Sequence, residues 1–524
     1  MSAKWLNDAV FYEIYPQSFY DSDGDGIGDF NGITQKLDYI LSLGCNAIWM
    51  NPCYDSPFHD AGYDVRDYKK VASRYGTMKD IERLFREVHK RGMHIILDLV
   101  PGHTSEEHEW FKKSSKAEKN EYSDRYIWTS WWLEGGDGLN FVAGEAERDG
   151  AYILSFFKCQ PALNYGFLKP EKPWQKPMDD PACLATREAM YDVICFWLDK
   201  GCDGFRVDMA DSLVKRDDEK KSGTIKIWQD ILGRVHKKYP ESAFVSEWGR
   251  PSQSIKAGFD MDFLLDWGGN GYNSLVRDYE IHDDGTDNSY FKRTSKGTPD
   301  KFLDEYLALY KETGTKGRIS LITGNHDTRR LKKGLTDEEL KIFYAFLLTM
   351  PGAPFIYYGD EIGMRYLDLP TKEGGYTRTG TRTPMQWTSG KNAGFSTAPA
   401  KELYLPIDKE QYKKINVEAH EKDGDSLLNT LRSLTKLRHS NPDLLKNANL
   451  EILSRKPLVY KRGNMIMAVN PNGGKETFSI EGTENAELLL SLGNATLSKN
   501  RITLPAGSFA AVKTGSSKES SKQK

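Results

Sequence analysis

The sequence predicts an α/β protein, a (β/α)8 TIM barrel with a subdomain inserted after strand 3 and an antiparallel β-sandwich at its C-terminal end. Three observations carry this. Over about the first 360 residues, short apolar runs alternate with amphipathic helical stretches, and eight such units suit a closed parallel barrel better than an open sheet. Residues 104–171 break that rhythm with a Trp-, Tyr-, Gly- and Lys-rich stretch of no clear period. From residue 446 the pattern becomes short alternating segments bounded by Gly, Asn or Pro.

The elements follow in order. Ala9 to Tyr15 is the first candidate strand and Ala47 to Asn51 the second. Thr77-Met-Lys-Asp80 has the form of a capping box, and Ile81, Leu84, Phe85 and Val88 share one helical face before Gly92 stops the helix. His94 to Leu99 is the third strand. The insertion that follows is expected to form a lid or small subdomain, with Trp131 and Trp132 in its core as the favoured reading and a plus-subsite platform as the other. Gly204 to Asp208, Ala243 to Glu247, Met261 to Leu265, Arg318 to Thr323 and Pro354 to Tyr358 complete the eight. The barrel would thus occupy residues 1–103 and 172–445. The sandwich would run over 446–513, with Leu458 to Arg462 and Asn464 to Asn470 among its strands. Residues 514–524 are polar and of low complexity, so a disordered tail is expected.

Composition excludes several partners. A chain of 524 residues holds two to four domains. Its 72 basic and 75 acidic side chains sum to −3, leaving no surplus positive charge to neutralise a phosphate backbone or coat an anionic membrane. No apolar run approaches the roughly 20 residues of a membrane span. Neither nucleic acid nor membrane is therefore an expected partner; the oligomeric state stays open, with a monomer favoured. The first residues lack a basic stretch followed by an apolar core, so a cytoplasmic location is expected. All six cysteines fall within the first 202 residues without a C-x-x-C pair, and they suit buried thiols.

Polar residues stand where the strand pattern does not predict them. Asp98 lies in strand three with His103 five residues on. Arg206 and Asp208 end strand four, Glu247 ends strand five, and His326 and Asp327 follow strand seven. In a barrel these C-terminal ends converge on one face, where such residues are catalytic. A lone Asp after a strand can be a helix N-cap, but four strand ends together point to a site. Cleaving a sugar acetal takes one carboxylate to attack or stabilise the anomeric carbon and a second, protonated, to release the leaving oxygen, and Asp208 and Glu247 on adjacent strands can do both.

The segments Asp98-Leu-Val-Pro-Gly-His103, Gly204-Phe-Arg-Val-Asp208, Glu247-Trp-Gly249 and Asn325-His-Asp327 resemble, in order and context, the four motifs of the α-amylase superfamily, family 13 of the glycoside hydrolases. Gln160-Pro-Ala-Leu-Asn164 is similar to its fifth motif. Arg382-Thr-Pro-Met-Gln-Trp387 and Gly359-Asp-Glu-Ile-Gly-Met364 resemble segments of the oligo-1,6-glucosidase and α-glucosidase branch. This resemblance implies that Asp208 is the nucleophile, held ionised and oriented by Arg206, and that Glu247 is the acid and then the base, with a pKa above that of Asp208. It implies that Asp327 binds the sugar 2- and 3-hydroxyls, that His103 and His326 hydrogen-bond the same sugar, that Tyr63 stacks on its face and that Asp98 supports the site from behind. Asp60 and Arg382 stand where exo-acting relatives hold the 4-hydroxyl of a terminal glucose, so a pocket rather than an open cleft is expected.

Some positions depart from the family pattern. Gly102 replaces an Asn that ligates calcium in α-amylases, Ala162 replaces an Asp of the fifth motif, and Asp211 stands where many α-amylases place a Lys. Met209 follows the nucleophile, where relatives with α-1,6 preference tend to have Val and those with α-1,4 preference Thr or Ala, so linkage stays open. The implied activity is a retaining exo-acting α-glucosidase on short oligosaccharides. A glucosyl transferase or isomerase acting on sucrose or trehalose, and a non-catalytic sugar-binding scaffold, are the alternatives.

The loop Asp21-Ser-Asp-Gly-Asp-Gly-Ile-Gly-Asp29 has the pattern of a cation site: oxygens of Asp21, Asp23, Asp25 and Asp29 and a backbone carbonyl near Ile27 could surround a hard ion, with Gly26 permitting the turn. Gly32 occupies the place of the EF-hand's bidentate Glu, which argues against a calmodulin-like switch. The spacing resembles the structural calcium loop of the oligo-1,6-glucosidase branch, so Ca2+ is expected, with Mg2+ second.

Overall fold

A computed structural model describes residues 3–515 apart from 266–267, 375, 448 and 482–485. Eight strands form one parallel sheet: β1 (Phe11–Ile14), β2 (Ala47–Met50), β3 (His94–Leu99), β4 (Gly204–Val207), β5 (Ala243–Ser246), β6 (Met261–Phe263), β7 (Arg318–Ser320) and β8 (Phe355–Tyr357). Each pairs with the next from β1 to β7, and β1 also pairs with β8. The ring closes just beyond β7, where Ile322 bridges Phe355 in parallel and Thr323 N–H donates to the Phe355 carbonyl at 3.0 Å. The chain therefore forms the (β/α)8 barrel that the alternating pattern predicts. Apart from His94 and the partly open β3 start, these strands are buried on both faces, which is why they appear in the sequence as apolar runs rather than alternating ones.

The barrel interior is filled by rings. Phe11 stacks on Phe355 with centroids 4.2 Å apart, and Phe263 packs edge-on against Phe355 at 4.8 Å and tilted against Trp49 at 5.4 Å. Charged side chains sit closer to the C-terminal end of the strands, where Asp98 on β3 is in register with Arg206 on β4. The helix between β2 and β3, α1 (Met78–Lys90), has its capping box: Thr77 accepts from Asp80 N–H and the Asp80 carboxylate accepts from Thr77 N–H. Its Ile81, Leu84, Phe85 and Val88 are all buried, each contributing about 2 kcal/mol.

The insertion leaves β3 and returns to the barrel wall at α2 (Pro181–Lys200), which Asp180 caps. It carries a short helix, Glu109–Ser114, and a two-stranded ladder, Phe141–Val142 with Tyr152–Ile153. Ile127, Ile153, Ala162, Phe167 and Trp174 form its own small core. Two expectations change here. Trp174 belongs to that core, so the insertion extends to Asp180 rather than ending at 171. Trp131 and Trp132, expected inside, are 46% and 50% exposed: they lie in a Gly-rich turn whose short ladder has only one face to bury.

The last barrel helix pair is α3 (Asp337–Thr349) and α4 (Leu427–His439). The sandwich that follows has a five-stranded sheet in the order β9 (Leu450–Arg455), β10 (Leu458–Arg462), β11 (Met465–Asn470), β16 (Ser508–Thr514), β13 (Ala486–Leu492). The second sheet is β12 (Glu476–Ser479), β15 (Arg501–Leu504), β14 (Thr496–Ser498). All pairings are antiparallel, and Val459, Ile466, Ile502, Leu504, Ala510 and Val512 meet between the sheets. The C-terminal end of α3 is tied to this domain and to α4: Arg462 donates to the Thr349 carbonyl at 3.0 Å, while Arg438 of α4 donates to Leu348 at 2.7 Å. Cations at a helix C-terminus satisfy carbonyls that have no partner within the helix. Thr514, assigned above to the tail, is the last residue of β16, and residues 516–524 lie outside the described residues.

Candidate active site

The C-terminal ends of the strands surround a cavity of about 190 Å3 lined by Asp60, Tyr63, His103, Phe156, Asp208, Met209, Glu247, Asp327 and Arg378. Backbone pairing delivers the two central carboxylates. Asp208 N–H donates to the Leu99 carbonyl at 2.8 Å and Glu247 N–H to Val207 at 2.9 Å, so each side chain leaves its strand one residue beyond the ladder.

One guanidinium organises this half of the site. Arg206, 1% exposed, reaches Asp98 at 2.7 Å, Asp208 at 3.0 Å and Glu247 at 2.8 Å. Burial pushes the Asp208 and Glu247 carboxyls each up to about 7; Arg206 pulls both down, Asp98 raises Asp208 and Asp208 raises Glu247. Asp98, completely enclosed, is raised to about 6 by burial despite Arg206, and it accepts from Tyr63 and Trp49 at 3.0 and 3.1 Å. The expected gap between acid and nucleophile is not built into the protein alone, because one cation serves both. Met209 adds a backbone contribution: at φ 41°, ψ 44° it occupies the left-handed region that residues other than glycine enter at a cost, and its N–H donates to Glu247 Oε2 at 2.9 Å.

The opposite half is built around Asp327. Its carboxylate meets Arg378 at 2.9 Å, Arg382 at 2.8 Å and His326 at 3.3 Å. Burial alone would raise its pKa, but the surrounding cations hold it well below the usual carboxylate range. Asn325 supports the turn by accepting from the N–H groups of Asp327 and Thr328.

The residues expected to touch sugar divide into two groups. Asp60, Tyr63 and His103 line the cavity. Burial lowers His103 to about 4, so its ring is neutral; Nε2 pairs with the Tyr63 carbonyl at 3.1 Å and Nδ1 has no protein partner. Arg206, His326 and Arg382 lie behind the wall. His326 is fully enclosed, with Nδ1 against Glu13 at 2.9 Å and Asn51 at 3.0 Å, and Nε2 against the Tyr63 hydroxyl at 2.6 Å. Its ring lies parallel to Tyr63, 5.3 Å away. It therefore backs Tyr63 instead of reaching the cavity.

The expected pairing of Asp60 with Arg382 is also replaced. Asp60 Oδ1 pairs with Arg378 at 3.0 Å and Oδ2 accepts from Gln160 at 2.8 Å. Arg382, 2% exposed, binds Asp327 and the His326 carbonyl. Sequence reasoning misses Arg378 because it lies in a loop without a period, although an arginine four residues before Arg382 is in plain view. Glu13 is open to suspicion as an acid inside the apolar run Val10 to Tyr15, since a buried charge in a strand demands a partner.

Away from the cavity, Asp21, Asp23 and Asp29 bring carboxylate oxygens within 4.8 Å of one another, while Asp25 stands outside that group and accepts from Ile27 N–H at 2.8 Å. Asp29 also caps the helix Phe30–Gln35. Gly26, at φ 95°, allows the loop to pass so near Glu402 that a Cβ would lie 2.3 Å from its carbonyl oxygen.

The family model for the alpha amylase catalytic domain matches residues 13–448. An oligo-1,6-glucosidase of Heyndrickxia coagulans is 32% identical, covering 93% of this chain and 95% of that one. A trehalose synthase/amylase of Mycolicibacterium smegmatis is 33% identical, covering 91% and 83%. Among solved structures, the trehalulose synthase of Pseudomonas mesoacidophila MX-45 superposes with a TM-score of 0.80 at 26% identity, covering 98% of this chain and 100% of that one. Since the matched region runs from β1 to beyond α4 and contains every carboxylate of the cavity, the chain belongs to the α-amylase family and is a glycoside hydrolase.

Proposed function

We propose that the enzyme is a retaining, exo-acting α-glucosidase that removes terminal α-linked glucose from short oligosaccharides by double displacement. The observation that carries this is the closed end of the cavity. Arg378 joins Asp60 to Asp327 and walls off the far side, and about 190 Å3 is small beside the roughly 300–1,000 Å3 of pockets for larger ligands, so one sugar ring is admitted.

In this reading Asp208 attacks the anomeric carbon while Glu247 gives its proton to the departing oxygen, leaving a β-glucosyl ester. Glu247 then takes a proton from water, which displaces Asp208 and releases α-glucose. Asp327, kept ionised, accepts from the 2- and 3-hydroxyls, while His103 lines the same cavity with a neutral ring. Asp60 and Arg378 hold the terminal 4-hydroxyl, the role expected from the sequence of Asp60 and Arg382.

One observation favours a second reading, glucosyl transfer between the positions of sucrose or trehalose. Phe156, 48% exposed, and Met209 give the cavity an apolar lining on which a sugar acceptor could displace water. Incubation with maltose, isomaltose, sucrose and trehalose separates the two. Free glucose released first as the α-anomer, seen by NMR, supports the hydrolase; an isomeric disaccharide with little free glucose would overturn it.

The acidic loop is proposed to hold a structural Ca2+, or Mg2+, through Asp21, Asp23 and Asp29. Three carboxylates gathered with no guanidinium paired to them among the described residues are a donor set for a hard cation. A cytoplasmic location is supported by six cysteines that are all free. No helix among the described residues is long and apolar enough to cross a membrane.

A further inference from the structure

The loop that brings Asp60 and Tyr63 to the cavity has a second cluster of ligating groups on it. His59, Asp64 and Cys159 each place one such atom within 4.8 Å of the other two. They come from two parts of the molecule, His59 and Asp64 from the barrel loop and Cys159 from the inserted subdomain.

Each member has capacity left. The His59 side chain is 53% exposed, and its Nδ1 faces Asp64 Oδ2 at 3.9 Å without a hydrogen bond. Cys159 is the one cysteine of the six that is not buried. Asp64 is fully enclosed. Its Oδ1 accepts from Ser56 Oγ and Asp60 N–H, both at 3.0 Å, and its Oδ2 accepts from His59 N–H at 2.8 Å. Among the described residues no lysine or arginine pairs with it, and a buried carboxylate in that position calls for a cation.

We propose that His59, Asp64 and Cys159 form a site for a thiophilic divalent cation of the zinc type, with water in the fourth position. Imidazole, carboxylate and thiolate are the donors of three-residue zinc sites, and a hard ion such as Ca2+ would reject the sulfur. On binding, the thiol releases its proton to solvent and the sulfur bonds the metal as thiolate. The position gives the cation something to restrain. His59 immediately precedes Asp60, and Cys159 immediately precedes Gln160, whose amide donates to Asp60 at 2.8 Å. An occupied site clamps the Asp60 loop to the inserted subdomain from the side away from the sugar.

The test uses the full-length enzyme with excess Ca2+ present, so that the acidic loop does not compete. Titration with Co2+ is expected to give a thiolate-to-metal charge-transfer band that saturates at one equivalent and is abolished by Zn2+. Cys159→Ser should remove the band, and both Cys159→Ser and His59→Ala should weaken Zn2+ binding at least about tenfold while glucosidase turnover without zinc stays that of the wild type. Absence of the band in the wild type, or equal Zn2+ affinity in the wild type and both variants, would overturn the site. Neither outcome depends on which glucoside the enzyme cleaves.

Discussion

The two halves of the cavity treat buried carboxylates in opposite ways. On the side of β4 and β5, one guanidinium is divided among Asp98, Asp208 and Glu247, and all three are pushed above the ordinary carboxylate range. On the side of β7, Asp327 receives two guanidiniums, Arg382 and an Arg378 that it shares with Asp60, and is held far below that range. Burial raises the pKa in both places. The number of cations per carboxylate decides the sign, and the chemistry open to each group follows from it. Groups near 7 can trade a proton, whereas Asp327 is a permanent acceptor for hydroxyls.

The largest expected effect comes from removing the proposed nucleophile. Asp208→Asn should lower kcat by roughly four to six orders of magnitude with the fold intact, and Glu247→Gln by roughly two to four, measured on an aryl glucoside. If Glu247→Gln kept full activity on a substrate with a poor leaving group, the acid assignment would be wrong.

Next is a substitution that makes the two halves more alike. Arg378→Met takes one cation from Asp327 and the ion-pair partner from Asp60, so kcat/KM should fall about 10- to 100-fold, or about 1.4 to 2.7 kcal/mol. Losing the cation raises the Asp327 pKa from far below the limb set by Asp208 and Glu247, so the loss should appear in kcat/KM while the acid limb keeps its place. An acid limb moved to higher pH would show that Arg382 and His326 alone do not keep Asp327 ionised.

The wild-type pH profile tests the shared half. In the proposed mechanism the active form has Asp208 ionised and Glu247 protonated, a single proton on the pair. Activity should fall on the acid side as both become protonated and on the alkaline side as both ionise, giving a bell whose limbs flank about pH 7. A plateau reaching from about pH 4 to about pH 9 would mean that bound sugar separates the two groups widely.

The smallest effect is predicted at the acidic loop, which gathers carboxylates with no guanidinium paired to them among the described residues. Chelation should lower Tm by about 1 °C for each kcal/mol of cation binding, with kcat unchanged while the protein stays folded. A chelator that left Tm unaltered would remove the cation from this loop.

Much of this arrangement is legible in the chain because parallel barrel strands are buried on both faces and therefore appear as apolar runs. Asp98, Arg206, Asp208 and Glu247 stand out against them as charges at strand ends. The calcium-type loop is visible because its acids alternate within a short stretch, although only Asp21, Asp23 and Asp29 converge. What cannot be read depends on contacts distant in sequence. Asp60 pairs with Arg378 across 318 positions, and Glu13 supports His326 across 313. Proximity of that kind is decided by how loops fold over the barrel mouth. The pKa pattern is hidden for the same reason, since it depends on how many carboxylates meet each guanidinium.

The joint at α3 has a further consequence. From Glu339 to Thr349 every residue of this helix is buried, and part of its cover comes from β11 and β16, the latter ending at Thr514. Arg462 of β10 also closes its C-terminal carbonyls. During synthesis, then, a helix needed to finish the barrel wall emerges long before the strand that shields it. A nascent chain halted before Ser508 would hold every carboxylate of the cavity on an unfinished wall.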